Sequence, residues 1–251
     1  SALHHRKLNA CKALLDAGAD PHYEDPVTHS SVSSRAWEVI LQESEDQSVI
    51  HSLRFLFPEN DGFDEMHLSQ LHKIVLGISH TDLSNELALP RTNIDATDSR
   101  GGTALSWAVR RGDIESTKIL LNWNASPETR DYLGQSALCH AVQSPNSPAL
   151  KLLLAGANID QTTNSKRGML HMTIQSQDNP TILKALIAKG ADLNLQDCWG
   201  ATPLQAAVAR NRVLSIQVLL DHKASISVAD KDGDTPLLQS VISSSHLVTE
   251  E

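Results

Sequence analysis

An all-α array of repeated helix–turn–helix units is the fold class this sequence predicts, and three observations predict it. The first is a period. Aligned on one leucine, Leu71, Leu105, Leu138, Leu170, Leu204 and Leu237 recur at steps of 34, 33, 32, 34 and 33 residues, a spacing that marks repeat architectures. The second is the recurrence of whole phrases: "DCWGATPLQAAV" begins at Asp197 and "DKDGDTPLLQSV" at Asp230. The third is composition. Hydrophobic residues make up 40% of the 251-residue chain but aromatics only 4%, so the core is built from aliphatics and alanine.

Each repeat reads in the same order. A turn carries Asp three residues before Gly, as Asp98/Gly101, Asp131/Gly134, Asp197/Gly200 and Asp230/Gly233; Asp and Gly supply the backbone shapes of a tight hairpin. Thr202 and Thr235 are expected as helix N-caps, their hydroxyls accepting from free amides of the first turn. Pro203 and Pro236 follow, where a missing N–H costs nothing. Small residues such as Ala108, Ala206 and Ala207 let the first helices of adjacent repeats approach closely. The second helix carries large aliphatics, as in "TKILL" (117–121), "LKLLL" (150–154), "LKALI" (183–187) and "IQVLL" (216–220). A Gly-Ala terminator follows at Gly156 and Gly190, expected in the left-handed conformation, with "WNAS" and "HKAS" as weaker copies. A unit of this kind cannot bury its apolar face alone, so neighbours must stack.

Residues 1–90 depart from the pattern and are expected to form degenerate repeats with an insertion near 58–68. Residues 91–251 are the regular repeats, the last one truncated. Neither end reads as a polar cap, so the chain is expected to be a piece of a larger protein.

Period, turn and "TPLH"-like phrases together resemble the ankyrin repeat across about residues 65–250. The resemblance implies an all-α ankyrin solenoid of about seven units, helix–turn–helix plus hairpin, with its first third degenerate. The Trp37-containing stretch and "LHKIVLG" are similar to ankyrin regions of long fungal proteins. In this family His72 and His171, at the fourth position of "TPLH", would hydrogen-bond a neighbouring repeat. Binding is carried by hairpin tips and first helices along a concave strip. Transferred repeat by repeat, that strip contains Arg100, Arg110, Arg111, Tyr132, Leu133, Trp199 and Arg210. Lys166 and Arg167 also fall on it, but the 32-residue step there implies a reshaped hairpin.

The chemistry of catalysis is missing from the sequence: there is no HExxH, Walker-type loop, GxGxxG or GxSxG. Twelve histidines and three cysteines show no metal-ligand spacing. Cys139-His140 is not a nucleophile and base, since adjacent helical residues point about 100° apart; Cys139 is expected to be buried in the histidine slot. No cofactor or small-molecule substrate is expected.

The net charge of −9 divides unevenly, with −8 over residues 1–90, +3 over 91–227 and −4 over 228–251. An acidic whole argues against nucleic acid, whose binding rests on basic side chains. The absence of a long apolar run or signal-like start points to an intracellular protein, cytoplasmic or nuclear, without membrane contact. The expected function is non-catalytic binding of a protein or peptide segment, acidic in character, by a monomer. The alternative makes the array a regulatory or sensing arm of a multidomain enzyme or signalling ATPase, contacting its own chain.

Overall fold

The computed structural model describes residues 66–144, 149–154, 156 and 158–241; the degenerate repeats expected before residue 66, with Trp37, lie outside the described residues. Among the described residues the named helices run in chain order: α1 (Gln70–Val75), α2 (Leu83–Leu87), α3 (Ala104–Arg111), α4 (Ile114–Asn122), α5 (Ala137–Gln143), α6 (Ala149–Leu154), α7 (Met169–Ser176), α8 (Pro180–Ala188), α9 (Pro203–Ala209) and α10 (Val213–Asp221). Residues 236–241 are helical as well. No strand occurs among the described residues, only one isolated bridge between Thr97 and Thr103.

The chain divides into two compact units, Ser1–Thr129 and Arg130–Glu251. In the first, α1 pairs with α2 and α3 with α4, while α1 stacks on α3 and α2 on α4. In the second, the pairs are α5 with α6, α7 with α8 and α9 with α10; α7 lies between α5 and α9, and α8 stacks on α10.

The periodic leucines explain why the helices stack. Leu71, Leu105, Leu138, Leu170 and Leu204 are at most 2% exposed, and their second-helix counterparts Leu120, Leu153, Leu186 and Leu219 are equally buried. Burying each such side chain stabilises the fold by about 2 kcal/mol. Ala108, Ala141 and Ala207 are fully buried at the close approach of first helices, as their size predicts. Leu237 departs from its sisters and is 75% exposed.

Helix starts follow the expected capping chemistry. The Thr202 hydroxyl accepts from the Gln205 amide, and the Gln205 side chain accepts from the Thr202 amide in return; Thr103/Ser106 and Ser69/His72 build the same reciprocal cap. Thr235 accepts from the Leu238 amide at 3.4 Å. Two central first helices lack a side-chain cap, α5 behind Ser136 and α7 behind Gly168. A Cβ on Gly168 would stand 2.5 Å from Leu195 Cδ2, so a hydroxyl residue there would require the Leu195 side chain to shift. The start of α10 is capped by a neighbour: Arg212 offers no cap, and Asp178 of the preceding repeat accepts from the Leu214 amide at 3.1 Å, the Ser215 amide at 2.8 Å and the Ser215 hydroxyl at 2.5 Å.

Three second helices, α4, α8 and α10, are followed by left-handed residues, whereas α2 ends in a right-handed Ala88. Gly190 has φ 93°, and Asn124 and Lys223 fill the same position at 62° and 68°. Gly156 lies between two positions outside the described residues.

A surface of laddered hairpin tips

The hairpins are built on one plan. In four of them the opening aspartate accepts two backbone N–H groups on Oδ1, from the residues two and four positions on. These are Arg100 and Gly102 for Asp98, Leu133 and Gln135 for Asp131, Trp199 and Ala201 for Asp197, and Asp232 and Asp234 for Asp230. Glycine follows with positive φ, for example Gly200 at 80°, where a Cβ would also stand 2.9 Å from the Lys231 backbone nitrogen.

The 32-residue step does not reshape the hairpin that carries Lys166 and Arg167, contrary to the expectation from sequence. Thr163 replaces the aspartate, its carbonyl accepting from the Lys166 amide at 2.8 Å and its amide donating to the Arg167 carbonyl at 3.0 Å. Lys166 takes the glycine position at φ 57°.

Successive tips of the second unit are joined by backbone hydrogen bonds. The Asn164 amide donates to the Leu133 carbonyl (3.0 Å), the Cys198 amide to the Ser165 carbonyl (2.9 Å) and the Lys231 amide to the Trp199 carbonyl (3.0 Å). Asn164 Nδ2 adds a bond to the Tyr132 carbonyl at 2.7 Å. These bonds fix the tips without engaging the side chains of Tyr132, Leu133 and Trp199. Tyr132, Leu133 and Trp199 are 72%, 64% and 55% exposed, so three large apolar side chains stand in solvent on a rigid frame.

The predicted cations fall in different settings. In the first unit Arg100 is exposed, Arg110 stacks its guanidinium 5.3 Å from the Trp107 ring centre, and Arg111 Nη1 donates to the Leu76 carbonyl at 3.5 Å. In the second unit Arg210 is exposed on α9's C-cap. Arg167, which sequence reasoning discounted, is the best-positioned cation. It lies 4.9 Å over the Trp199 ring, pairs with Asp197 at 3.6 Å and donates to Gln175 Oε1 at 3.1 Å. Its signal was present in the strip alignment and was masked by the missing Asp and Gly.

Behind the tips, first helices are bolted to the next hairpin by a side chain at one fixed position. His72 Nε2 donates to the Gly102 carbonyl and His171 Nε2 to the Ala201 carbonyl, each at 3.0 Å; Gln205 Nε2 does the same to the Asp234 carbonyl at 2.6 Å. Donation to a carbonyl leaves Nδ1 of each imidazole as an acceptor. His72 uses it for the Ser69 hydroxyl at 2.7 Å and the Ser69 amide at 3.2 Å, whereas His171 Nδ1 is buried with no partner, and Gly168 at the equivalent position has no hydroxyl. Burial holds both imidazoles below the usual value of 6.5, against the opposing carbonyl bonds and the aspartates Asp98 and Asp197. Cys139 takes the same slot, 1% exposed, with burial pushing its thiol up; it is no activated nucleophile.

A small notch opens beside the α9 first turns, about 120 Å³ in volume, with Arg167, His171, Gln175, Asp197, Ala206 and Arg210 among its walls. Ala206, on a helix that packs against α7, also borders this notch. A larger apolar groove of about 1090 Å³ involves Val208, Ile216, Leu220, Ile226 and Leu237. Among the described residues no group of three His, Cys, Asp or Glu side chains could hold a metal ion, and no helix is long and apolar enough to cross a membrane.

Comparison with known proteins agrees with this architecture. The family pattern for ankyrin repeats (three copies) matches residues 71–163 and 170–249. A potassium channel AKT2/3 of Arabidopsis thaliana is 29% identical over 164 residues, 65% of this chain and 20% of the channel. An L-asparaginase of Dirofilaria immitis is 29% identical over 187 residues, 68% of this chain and 32% of that protein. A putative ankyrin repeat-containing protein of Treponema pallidum is 30% identical over 126 residues, 50% of this chain and 42% of that one. The chain thus spans less than half the length of these curated relatives. Ankyrin repeats form a non-catalytic interaction fold, and protein partners are what such a surface is suited to meet. With its repeated capped helix pairs, bolted hairpins and a family match over most of its length, the chain belongs to the ankyrin-repeat family.

Proposed function

We propose that the chain is a recognition module for a protein segment that combines apolar anchors with carboxylates, and that it works without catalysis, as a monomer inside the cell. One observation carries this reading. Tyr132, Leu133 and Trp199 are exposed on hairpins whose backbones are already hydrogen-bonded to one another. Aromatic and arginine side chains dominate interface energetics, and a surface ordered before binding loses less conformational entropy when a partner docks. Arg167 and Arg210 add positive charge beside these anchors, and residues 91–227 carry +3 within an acidic chain; complementary charge favours encounter with acidic segments. Arg100, Arg110 and Arg111 are proposed as further cationic contacts from the first unit.

The test is affinity capture with the wild-type chain and a Tyr132→Ala, Leu133→Ala, Trp199→Ala variant of matched melting temperature. Proteins held by the first and released by the second support recognition through the tips. Equal retention by both forms would remove the tips from the binding surface.

A further inference from the structure

The four aspartate hairpins share one arrangement of Oδ1 but differ in what meets Oδ2. The residue nine positions after each aspartate lies on the following first helix. For Asp98 it is Trp107, whose indole Nε1 donates to Oδ2 at 2.7 Å. For Asp131 it is His140, whose Nε2 lies 3.6 Å from Oδ2. For Asp197 it is Ala206, and a methyl group cannot donate. The space a ring occupies elsewhere is here part of the notch of about 120 Å³ that Asp197 and Ala206 both line.

Two acceptors on the walls lack the close donor that their counterparts in the first unit have. Asp197 is 8% exposed, and its Oδ2 has Arg167 Nε at 3.6 Å, beyond hydrogen-bond distance. His171 is 2% exposed, and its Nδ1 has no partner. The Asp197–Arg167 ion pair is longer than a hydrogen bond, so a group that brings an N–H to Oδ2 at hydrogen-bond distance adds an interaction the repeat does not make for itself. Arg167 and Arg210 stand on the walls with Asp197 and Asp230, a balanced set of charges that a neutral donor leaves undisturbed. The sister repeat shows which one fits this frame: an indole on the aspartate with a guanidinium over its face, as Trp107 has Asp98 and Arg110.

We propose that the notch between Asp197 and Ala206 receives the indole of a partner's tryptophan, its N–H donating to Asp197 Oδ2 and its ring lying against the Arg167 and Arg210 side chains. The proposal rests on reading this unit as a protein-recognition surface and names one anchor of the partner.

The experiment titrates the full chain with N-acetyl-tryptophanamide, following backbone amides of Asp197, Ala201 and Ala206 by NMR. Saturable shifts are expected with a dissociation constant of about 1 mM, as suits a ligand this small. The 1-methylindole analogue, which has no N–H, should bind about tenfold more weakly, the cost of losing that hydrogen bond. N-acetyl-argininamide should give no saturable shift. Absence of saturation up to about 20 mM, a scale on which so small a ligand should bind, would overturn the proposal, as would equal binding of the methylated analogue or preference for the arginine probe. Ala206→Trp supplies the ring from the chain itself and should abolish the response; Ala206→His, which copies the Asp131–His140 repeat, serves if the larger ring prevents folding. A full response in either folded variant overturns the location. Proteins captured equally by Ala206→Trp and wild type, yet lost from the tip-alanine variant, would sink the notch while leaving the recognition reading intact.

Discussion

The hairpin that starts at Asp98 and the one that starts at Asp197 share a backbone, and their carboxylates end in different chemistry. Asp98 takes two amides on one oxygen and an indole N–H on the other, and Trp107 is 2% exposed. Asp197 takes the same two amides, but its second oxygen faces a gap roofed by Arg167. One repeat has closed its inner face with its own side chain, and the other has left that face open. The lesson is that sister repeats serve as internal controls: what one fills with its own side chain, the other leaves for something else to fill.

Substitutions that convert one repeat's solution into another's break or sharpen this comparison. The largest effect is expected from Trp107→Ala, which opens the filled repeat and strips Asp98 of its donor; loss of a buried tryptophan costs about 3–5 kcal/mol, read from denaturant unfolding. A cost below about 1 kcal/mol, far under that for a buried ring, would mean the indole does not hold the first unit together. Next comes the cap that α10 borrows from its neighbour. Asp178→Ala should cost about 1–2 kcal/mol, as for loss of an N-cap, and Asp178→Asn, which keeps an acceptor, should recover most of it. Equal losses in both variants would show that charge rather than the acceptor matters.

A smaller effect separates the bolts that titrate from the one that does not. Burial lowers the His72 and His171 imidazoles below 6.5, so just below pH 6.5 the unfolded chain binds more protons than the folded one. Stability is then fully present above pH 6.5 and declines as pH falls toward the lowered folded-state values. Gln205 makes the same bond without titrating. A His72→Gln, His171→Gln variant should therefore show a flatter melting-temperature profile between pH 7 and 5, and an unchanged slope would place the dependence elsewhere. The smallest effect concerns helix ends: Lys223 holds φ 68° where Gly190 holds 93°. Lys223→Gly should raise stability by up to about 1 kcal/mol by removing left-handed strain, seen as a small rise in melting temperature.

Much of this fold was legible in the sequence because capping and turn chemistry are local. Thr202, Pro203 and Gly200 each announce a backbone state by side-chain type alone, and the periodic leucines announce stacking. The His72 and His171 bonds were legible through resemblance to the family. What was hidden depended on substitution within the frame. Thr163 and Lys166 reproduce the hairpin without its Asp and Gly, so the placement of Arg167 over Trp199 was read as a reshaped loop. The notch at Ala206 stayed hidden because size alone does not distinguish a small residue enclosed in a helix contact from one that also borders an opening. That distinction needs the position of Asp197, nine residues away along the chain and adjacent in space.

The ladder that joins Leu133, Asn164, Ser165, Cys198, Trp199 and Lys231 is made of main-chain atoms alone. Amides and carbonyls are common to nearly all residues, so the vocabulary on the tips can be rewritten without altering the grammar that spaces them. Tip positions can drift, or be exchanged in the laboratory, at little cost to folding, while the interval between successive tips stays fixed. The second unit is in that sense a ruled page: its lines are backbone, and the message written on them is free to change.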